Sequence, residues 1–340
     1  PNYYQTKVIY TDGSYDLFDE NSDITVDGGY TKKAKKITAL DRLNTKDIFI
    51  VEKGLKDGKT AVCNLASINL SKINTPEDIA RVTPIAIRML DNVIDLNFYP
   101  HAKVKHTNIA SRSIGLGVMG EAEMLATKQI QWGSYEHLEK IDEIMENISY
   151  NAIYASSNLA VEKGVYPDFE GSNWSKGIFP IDLANQNAKA LVNRGGSLFD
   201  EGNCDWSKLR EKVKKDGIRI GYLMAIAPNS STSILAGSTA TIDPIFQKSY
   251  SEEKKDYKIP VTVPDLNAET TWYYKSAYFI DQSWTIKQNA ARAKHIDQGI
   301  SLNIYVQNTV KAKDLLQIHV EAWESGIKAT YYVRSTSDDM

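Results

Sequence analysis

One segment combines small polar side chains with a preceding apolar stretch, which is the composition of an anion-binding loop. Residues 222–227 are strand-like, and residues 234–236 suggest a helix. Between them lie Pro228, Asn229, Ser230, Ser231, Thr232 and Ser233. Hydroxyl groups and free backbone N–H groups at a helix N-terminus bind anions, and phosphate is the natural guest. The same residues also fit an ordinary N-cap and loop without a ligand, so composition leaves both interpretations open.

Cys63 is a candidate redox thiol. It lies in residues 61–70, an extended, β-prone run with polar neighbours at alternate positions. A redox role requires a second sulfur within bonding reach, whereas a buried structural thiol requires none. The other cysteine, Cys204, is expected to be a buried thiol without a redox role. The sequence has no CxxC, and its five scattered histidines have no metal-ligand spacing, so we expect no metal site.

Tyr331 and Tyr332 are adjacent aromatic residues in a chain that holds nineteen tyrosines. In a strand, neighbouring side chains point to opposite faces. We therefore expect one phenol to be packed and the other to be exposed. The pair alone indicates no special function.

Two long helices are expected to help position these residues. Thr75 and Pro76 are an N-cap and a first helical residue, and Pro84 predicts a kink or a restarted helix further on. Apolar residues then recur at helical spacing, which predicts a core-facing stripe of Ile79, Val82, Ala86, Met89, Val93 and Leu96. A second helix is predicted over about 138–163, ending at Gly164, with a buried face of Ile141, Met145, Ile148 and Ala152.

Short apolar runs, such as residues 113–118 and 222–227, alternate with these helices. This alternation predicts an α/β fold with parallel strands and ligands at their carboxyl ends. The formal net charge of −3 gives no electrostatic case for nucleic-acid binding. No apolar run approaches the length of a membrane span. Two cysteines are too few for a secreted disulfide scaffold, which favours the reducing cytoplasm.

In this order, the three candidate segments resemble the large, catalytic subunit of class I, aerobic ribonucleotide reductases. Further matches are SRSIGLGVMG at 111–120, KGIFPID at 176–182 and HIDQGIS at 295–301. The resemblance covers roughly residues 48–334. It implies the second half of a ten-stranded α/β barrel, followed by a small C-terminal α/β region. The corresponding domains are a β-rich extension at 1–50, a half-barrel at 51–250 and the C-terminal region at 251–340.

The resemblance also implies a role for each candidate segment. The enzyme reduces ribonucleoside diphosphates to deoxyribonucleotides by a radical mechanism, and residues 228–233 would hold the substrate's diphosphate. Cys63 would form a disulfide with a second cysteine as the ribose is reduced. Tyr331 and Tyr332 would relay a radical from the small subunit, which carries a diiron-tyrosyl radical. No cofactor would bind this chain directly, and thioredoxin or glutaredoxin would act as the external dithiol reductant.

Two family features are missing from this sequence. Residues 36–43 lack the Asn-Leu-Cys-x-Glu motif whose cysteine becomes the thiyl radical, and no residue matches the disulfide partner of Cys63. We therefore expect a naturally split, phage-type subunit, with residues 1–50 as a graft at the break and an N-terminal half as partner. This oxidoreductase would be active only in that complex. The alternative is a non-catalytic nucleotide- or subunit-binding module derived from the enzyme.

Overall fold

A computed structural model describes residues 4–19, 21–55, 59–192, 204–253 and 258–336. The chain divides into two compact units, Pro1–Thr60 and Ala61–Met340. In the first unit the strands are β1 (Tyr4–Tyr10), β2 (Tyr15–Asp19), β3 (Asp23–Val26), β4 (Tyr30–Lys33), β5 (Arg42–Leu43) and β6 (Lys46–Leu55). An antiparallel sheet has the order β2-β1-β6-β5, and β3 and β4 form a hairpin. The expected boundary at residue 50 falls inside β6, which pairs with β1 up to Leu55, so the unit continues to Thr60.

The second unit alternates strands and helices. Its strands are β7 (Leu65–Asn69), β8 (Gly115–Met119), β9 (Ser249–Glu253), β10 (Lys258–Thr262), β11 (Ile304–Val306) and β12 (Val333–Ser335). Its helices are α1 (Pro76–Leu96), α2 (Ala102–Ser111), α3 (Glu121–Thr127), α4 (Tyr135–Lys163), α5 (Pro180–Leu183), α6 (Gln186–Ala190), α7 (Trp206–Asp216), α8 (Ser230–Leu235), α9 (Gln282–Ala293) and α10 (Ala312–Glu324). None of the helices in the described ranges is long and apolar enough to cross a membrane. Residues 61–250 and 251–340 lie together in this unit.

Apart from the antiparallel hairpin of β9 and β10, the strand segments of the second unit pair in parallel, which confirms the predicted α/β architecture. β7 pairs with β8, and β8 meets the next segment through a parallel bridge between Leu116 and Met224. The segment of residues 223–226 is in turn bridged in parallel to a later segment, through Ile226 and Ile300. Shortly after Ile300, β11 pairs in parallel with β12. The backbones of β8 and the 223–226 segment approach so closely that a Cβ at Gly117 would lie within 3 Å of the Ala225 carbonyl oxygen.

Helix α1 begins as predicted but buries only part of the predicted face. The Thr75 hydroxyl oxygen accepts from the Asp78 N–H, and the Asp78 carboxylate accepts from the Thr75 N–H. The two bonds form a capping box. The helix continues through Pro84 without restarting. Met89 and Leu96 are 63% and 85% exposed, and the buried positions are instead Ile79, Thr83, Ile87, Leu90, Asp91 and Ile94. The predicted stripe is therefore right at Ile79, and at Val82 and Ala86, which pack half-buried against the core. It is wrong at Met89, Val93 and Leu96, which are exposed because the later turns of α1 pack a neighbouring apolar face on the core.

The second predicted helix is confirmed. Helix α4 starts one turn earlier than expected, because the Ser134 side chain accepts from the His137 N–H and caps it. The predicted face of Ile141, Met145, Ile148 and Ala152 is buried. Gly164 follows the last turn with a φ of 85°, as expected of a residue that ends a helix.

A buried ionic cluster ties the helices together around Asp91 of α1. The Arg112 guanidinium, just after α2, lies 2.6 Å from Asp91 Oδ1 and 2.8 Å from Asp95 Oδ1. Lys163, at the end of α4, lies 3.0 Å from Asp91 Oδ2, and Arg219 lies 3.2 Å from Oδ1. Asp91 and Arg112 are almost fully buried. Since three cations converge on one carboxylate, this cluster sets the relative positions of α1, α2 and α4.

Candidate functional site

The hydroxyl-rich segment, residues 228–233, directly follows the carboxyl end of residues 223–226, the segment that is bridged in parallel to β8. Helix α8 already begins at Ser230, so most of the predicted loop is the first turn of a short helix. Asn229 precedes it in the left-handed conformation, with a φ of 54°. This tight turn presents the first N–H groups of α8 at the end of the strand row, where α/β proteins bind ligands.

Asn229 anchors the segment to neighbouring strands. Its Nδ2 lies 2.9 Å from Ser67 Oγ on β7 and donates to the Ala227 carbonyl at 3.0 Å. It also lies 3.4 Å from the Val118 carbonyl on β8. The amide therefore belongs to the framework of the site, and its contacts fix where α8 starts.

The remaining predicted binding residues divide into two groups. Pro228, Ser230, Ser231 and Thr232 are exposed and are available to a ligand. Ser233 is 2% exposed, and its hydroxyl donates to the Ser230 carbonyl at 3.3 Å. We therefore expect Ser230, Ser231 and Thr232 to provide hydroxyl contacts, and Ser233 to stabilise the turn.

Cys63 lies two residues before β7 and is exposed. The carbonyl of Asn64 accepts from the Gly115 N–H at 2.9 Å, which starts the pairing of this segment with β8. Ser67 and Asn69 occupy alternate positions further along, so they share one face of β7. The strand that follows the thiol thus carries the Ser67 hydroxyl that contacts Asn229.

Cys204 is separate from this site. It lies just before α7, is buried, and its Sγ is 3.7 Å from Asn147 Oδ1 on α4. A buried thiol packed between helices agrees with the expectation of a structural cysteine.

Tyr331 and Tyr332 lie side by side just before β12. Their ring centroids are 4.1 Å apart, with an interplanar angle of 50°. They are 46% and 53% exposed, so the expectation of one packed and one exposed phenol is wrong. The reason is that the pair precedes the regular strand, where side chains need not alternate. The pKa of Tyr331 is raised above its ordinary value, mainly by the hydrogen bond with Tyr332 and to a lesser extent by desolvation.

The tyrosine pair is held on both sides. The Tyr331 N–H donates to the Leu302 carbonyl at 2.7 Å, and the Tyr332 carbonyl accepts from the Ile304 N–H at 2.8 Å. The Arg334 guanidinium lies 5.3 Å from the centre of the Tyr332 ring, a cation–π contact. The backbone of both tyrosines is therefore hydrogen-bonded to residues 302–304, at the start of β11.

A polar cluster at the carboxyl ends of β7 and β8 was not predicted. Ser238 Oγ lies 2.6 Å from Glu123 Oε2 and 3.0 Å from Asn69 Oδ1. Gly120 has a φ of 78°, and a Cβ there would lie about 2.5 Å from Asn69 Oδ1 and Ser238 Oγ. The alternation of Ser67 and Asn69 in the β7 sequence was the available signal, but it does not identify Glu123 or Ser238 as partners.

A carboxylate positions the segment that leads to α8. Asp297 accepts from the N–H groups of Leu223 and Met224 at 2.7 and 2.8 Å. Burial raises the pKa of Asp297 to about 6, although these two bonds act in the opposite direction. Asp297 lies in the HIDQGIS match. It holds residues 223–226 in register with the segment around Ile300.

Comparison with known proteins gives a consistent result. The family model for the ribonucleotide reductase barrel domain matches residues 30–333. Ribonucleoside-diphosphate reductase subunit alpha of Helicobacter pylori is 59% identical over 338 residues, which cover 99% of this chain and 42% of that protein. The subunit alpha of Treponema pallidum is 42% identical, over 90% of this chain and 35% of that protein. The large subunit of Caenorhabditis elegans is 32% identical, over 84% of this chain and 39% of that protein.

These matches correct one expectation about the N-terminal unit. Residues 1–50 were expected to be a graft foreign to the family, yet the Helicobacter pylori match covers 99% of the chain and the family model begins at residue 30. The segment therefore gives no support to a split subunit. The chain spans about two fifths of the length of the relatives it matches. With the parallel strand row and the family match together, the chain belongs to the ribonucleotide reductase barrel-domain family.

Proposed function

We propose that this chain forms part of the active site of a ribonucleoside-diphosphate reductase. The observation that carries the proposal is the contact of Asn229 with Ser67, because it joins the hydroxyl-rich turn to the strand that follows Cys63. A diphosphate bound by Ser230, Ser231 and Thr232 would therefore lie in a fixed relation to the redox thiol. The names of the relatives support this substrate class.

Cys63 would supply one of the two thiols that reduce the ribose. In the overall step, the ribonucleotide gains two electrons and two protons and loses its 2′ hydroxyl as water. Two thiols become one disulfide in the same step, so electrons and atoms balance. The second thiol, and the cysteine that abstracts the ribose 3′ hydrogen, would come from the N-terminal half of the subunit, joined or separate. An external dithiol of the thioredoxin or glutaredoxin class would then reduce the disulfide.

Tyr331 and Tyr332 would carry the radical into this site. A phenol can lose an electron and a proton together, and a tyrosine carries its proton at neutral pH. Their 4.1 Å centroid separation makes the transfer between them a single short hop. The partner that delivers the radical would be a small subunit bearing a diiron-tyrosyl radical. The half-exposed rings are accessible for that transfer.

A reductase assay tests the proposal. The chain is assayed alone and together with the N-terminal half, the radical-bearing small subunit and a dithiol reductant. Cys63→Ser and Tyr331→Phe are compared with the wild type. Tyr135→Phe is a matched control, because Tyr135 is an exposed tyrosine whose ring packs on Trp284.

Activity only in the full mixture, lost in Cys63→Ser and Tyr331→Phe but kept in Tyr135→Phe, is the expected result. Full activity in both site variants would contradict the residue roles. An inactive full mixture that still binds a ribonucleoside diphosphate or the small subunit would favour the non-catalytic binding module.

A further inference from the structure

The residue before Cys63 is held by a side-chain amide. The Val62 N–H donates to Asn108 Oδ1 at 3.1 Å, and Asn108 Nδ2 donates to the Val62 carbonyl at 3.0 Å. Asn108 lies on α2 and is 3% exposed, whereas Val62 is on the surface. The amide pairs with both backbone groups of Val62 as a neighbouring strand would.

The residue after Cys63 is held as well. Asn64 Nδ2 donates to the Leu90 carbonyl of α1 at 2.8 Å, and the Asn64 backbone carbonyl accepts from Gly115. The backbone is therefore fixed on both sides of Cys63, while Cys63 itself remains exposed.

Helix α2 is itself rigidly placed. Arg112 ends the helix in the left-handed conformation, with a φ of 46°, and its guanidinium is bound to Asp91 and Asp95 of α1. Asn108 and the Leu90 carbonyl thus belong to one framework. Val62 and Asn64 are both attached to it.

We propose that Asn108 is a positioning residue for Cys63, an inference that rests on the redox role proposed above for that thiol. Disulfide formation requires Cβ atoms about 3.5–4.5 Å apart, so a small backbone displacement misplaces the sulfur. An asparagine suits this task because its planar amide offers a donor at Nδ2 and an acceptor at Oδ1, one for each backbone group of Val62. In the described part of the chain no hydrogen bond joins Asn108 to the hydroxyl-rich turn or to the tyrosine pair, so we expect it to act on the thiol step alone.

The test uses the complete reductase with Asn108→Ala or Asn108→Asp. The aspartate keeps an acceptor for the Val62 N–H but places a second oxygen against the Val62 carbonyl. We expect kcat to fall roughly tenfold or more in both variants, with an unchanged KM for the ribonucleoside diphosphate. In Asn108→Ala, loss of the bond from the Val62 N–H should also speed exchange of the Val62 amide hydrogen by roughly tenfold. Asn151→Ala, which removes only a bond to the Asn147 carbonyl within α4, should change neither quantity.

Single-turnover measurements without external reductant locate the defect. The pre-reduced Asn108 variants should form product and disulfide at the lowered rate. A wild-type kcat in Asn108→Ala, while Cys63→Ser is inactive, would overturn this inference and leave the proposed function intact. Full activity in Cys63→Ser would overturn both. A raised KM, or faster exchange throughout α1 and α2, would mean a general structural role and would overturn the positioning role.

Discussion

Ser67 Oγ lies 2.9 Å from Asn229 Nδ2 and 3.1 Å from Oδ1 of the same amide. The two residues are far apart in sequence, and each lies beside a different element of the candidate site. Ser67 is on the strand that follows Cys63, and Asn229 precedes the hydroxyl-rich turn of α8. A displacement of one element is therefore passed to the other through this contact.

Replacing Asn229 tests this contact. In Asn229→Ala we expect the free energy of unfolding to fall by about 2 kcal/mol, because a left-handed alanine is strained and the partly buried amide hydrogen bonds are lost. The dissociation constant for a ribonucleoside diphosphate should rise in parallel. Urea denaturation and titration calorimetry measure the two effects. Asn229→Gly tolerates the backbone conformation, so its remaining loss isolates the amide contacts. Wild-type binding in both variants would contradict the anchoring role.

Replacing Tyr332 separates radical transfer from binding. Tyr332→Phe keeps the ring beside Tyr331 but removes the hydroxyl, so we expect turnover to fall below detection with unchanged nucleotide affinity. Turnover and equilibrium binding are measured in the complete reductase. Tyr154→Phe serves as the control, because that half-exposed ring stacks on Tyr150 within helix α4. Measurable turnover in Tyr332→Phe would remove this residue from the relay.

The pH dependence of stability should carry the signature of Asp297. Its pKa is about 6 in the folded protein, against an ordinary value of 3.8, so the folded state holds a proton that the unfolded state has lost between these values. Stability should therefore fall as the pH rises from about 4 to 6, by up to about 1.4 kcal/mol per pH unit, and level off above it. Urea titrations across this range should show a shallower slope for Asp297→Asn. The exposed Asp314→Asn should match the wild type, and an unchanged slope in Asp297→Asn would contradict the prediction.

The ionic cluster at Asp91 should contribute strongly to stability. Asp91→Ala leaves Arg112, Lys163 and Arg219 without their shared carboxylate, so we expect a loss of about 3–5 kcal/mol. Thermal or urea unfolding measures the change. Glu162→Ala breaks the exposed pair with Arg88 and should cost less than about 1 kcal/mol. Equal losses in the two variants would argue against a dominant role for burial.

Local sequence signals predicted the elements of this fold better than their packing. Thr75 and Pro76 marked the start of α1, because capping depends only on neighbouring residues. The face of α1 that meets the core depends on distant partners, and Met89 and Leu96 satisfy the helical spacing as well as Ile87 and Leu90 do. Periodicity alone could not choose between the two faces.

The candidate site followed the same division. Composition identified the segment from Pro228 to Ser233, but not that Asn229 belongs to its framework and that Ser233 faces inward. Those assignments depend on Ser67, a residue distant in the chain. The side-by-side, tilted arrangement of Tyr331 and Tyr332 likewise follows from their place before β12 and could not be read from the two residue types.

The unequal burial of the two cysteines has a practical consequence. Cys63 is exposed and Cys204 is buried, and the sequence contains no others. A maleimide dye should therefore attach once to the native chain and twice after denaturation. The native protein can thus carry a single fluorophore at residue 63 without mutagenesis, and the dye-to-protein ratio itself counts the fraction of molecules that have unfolded.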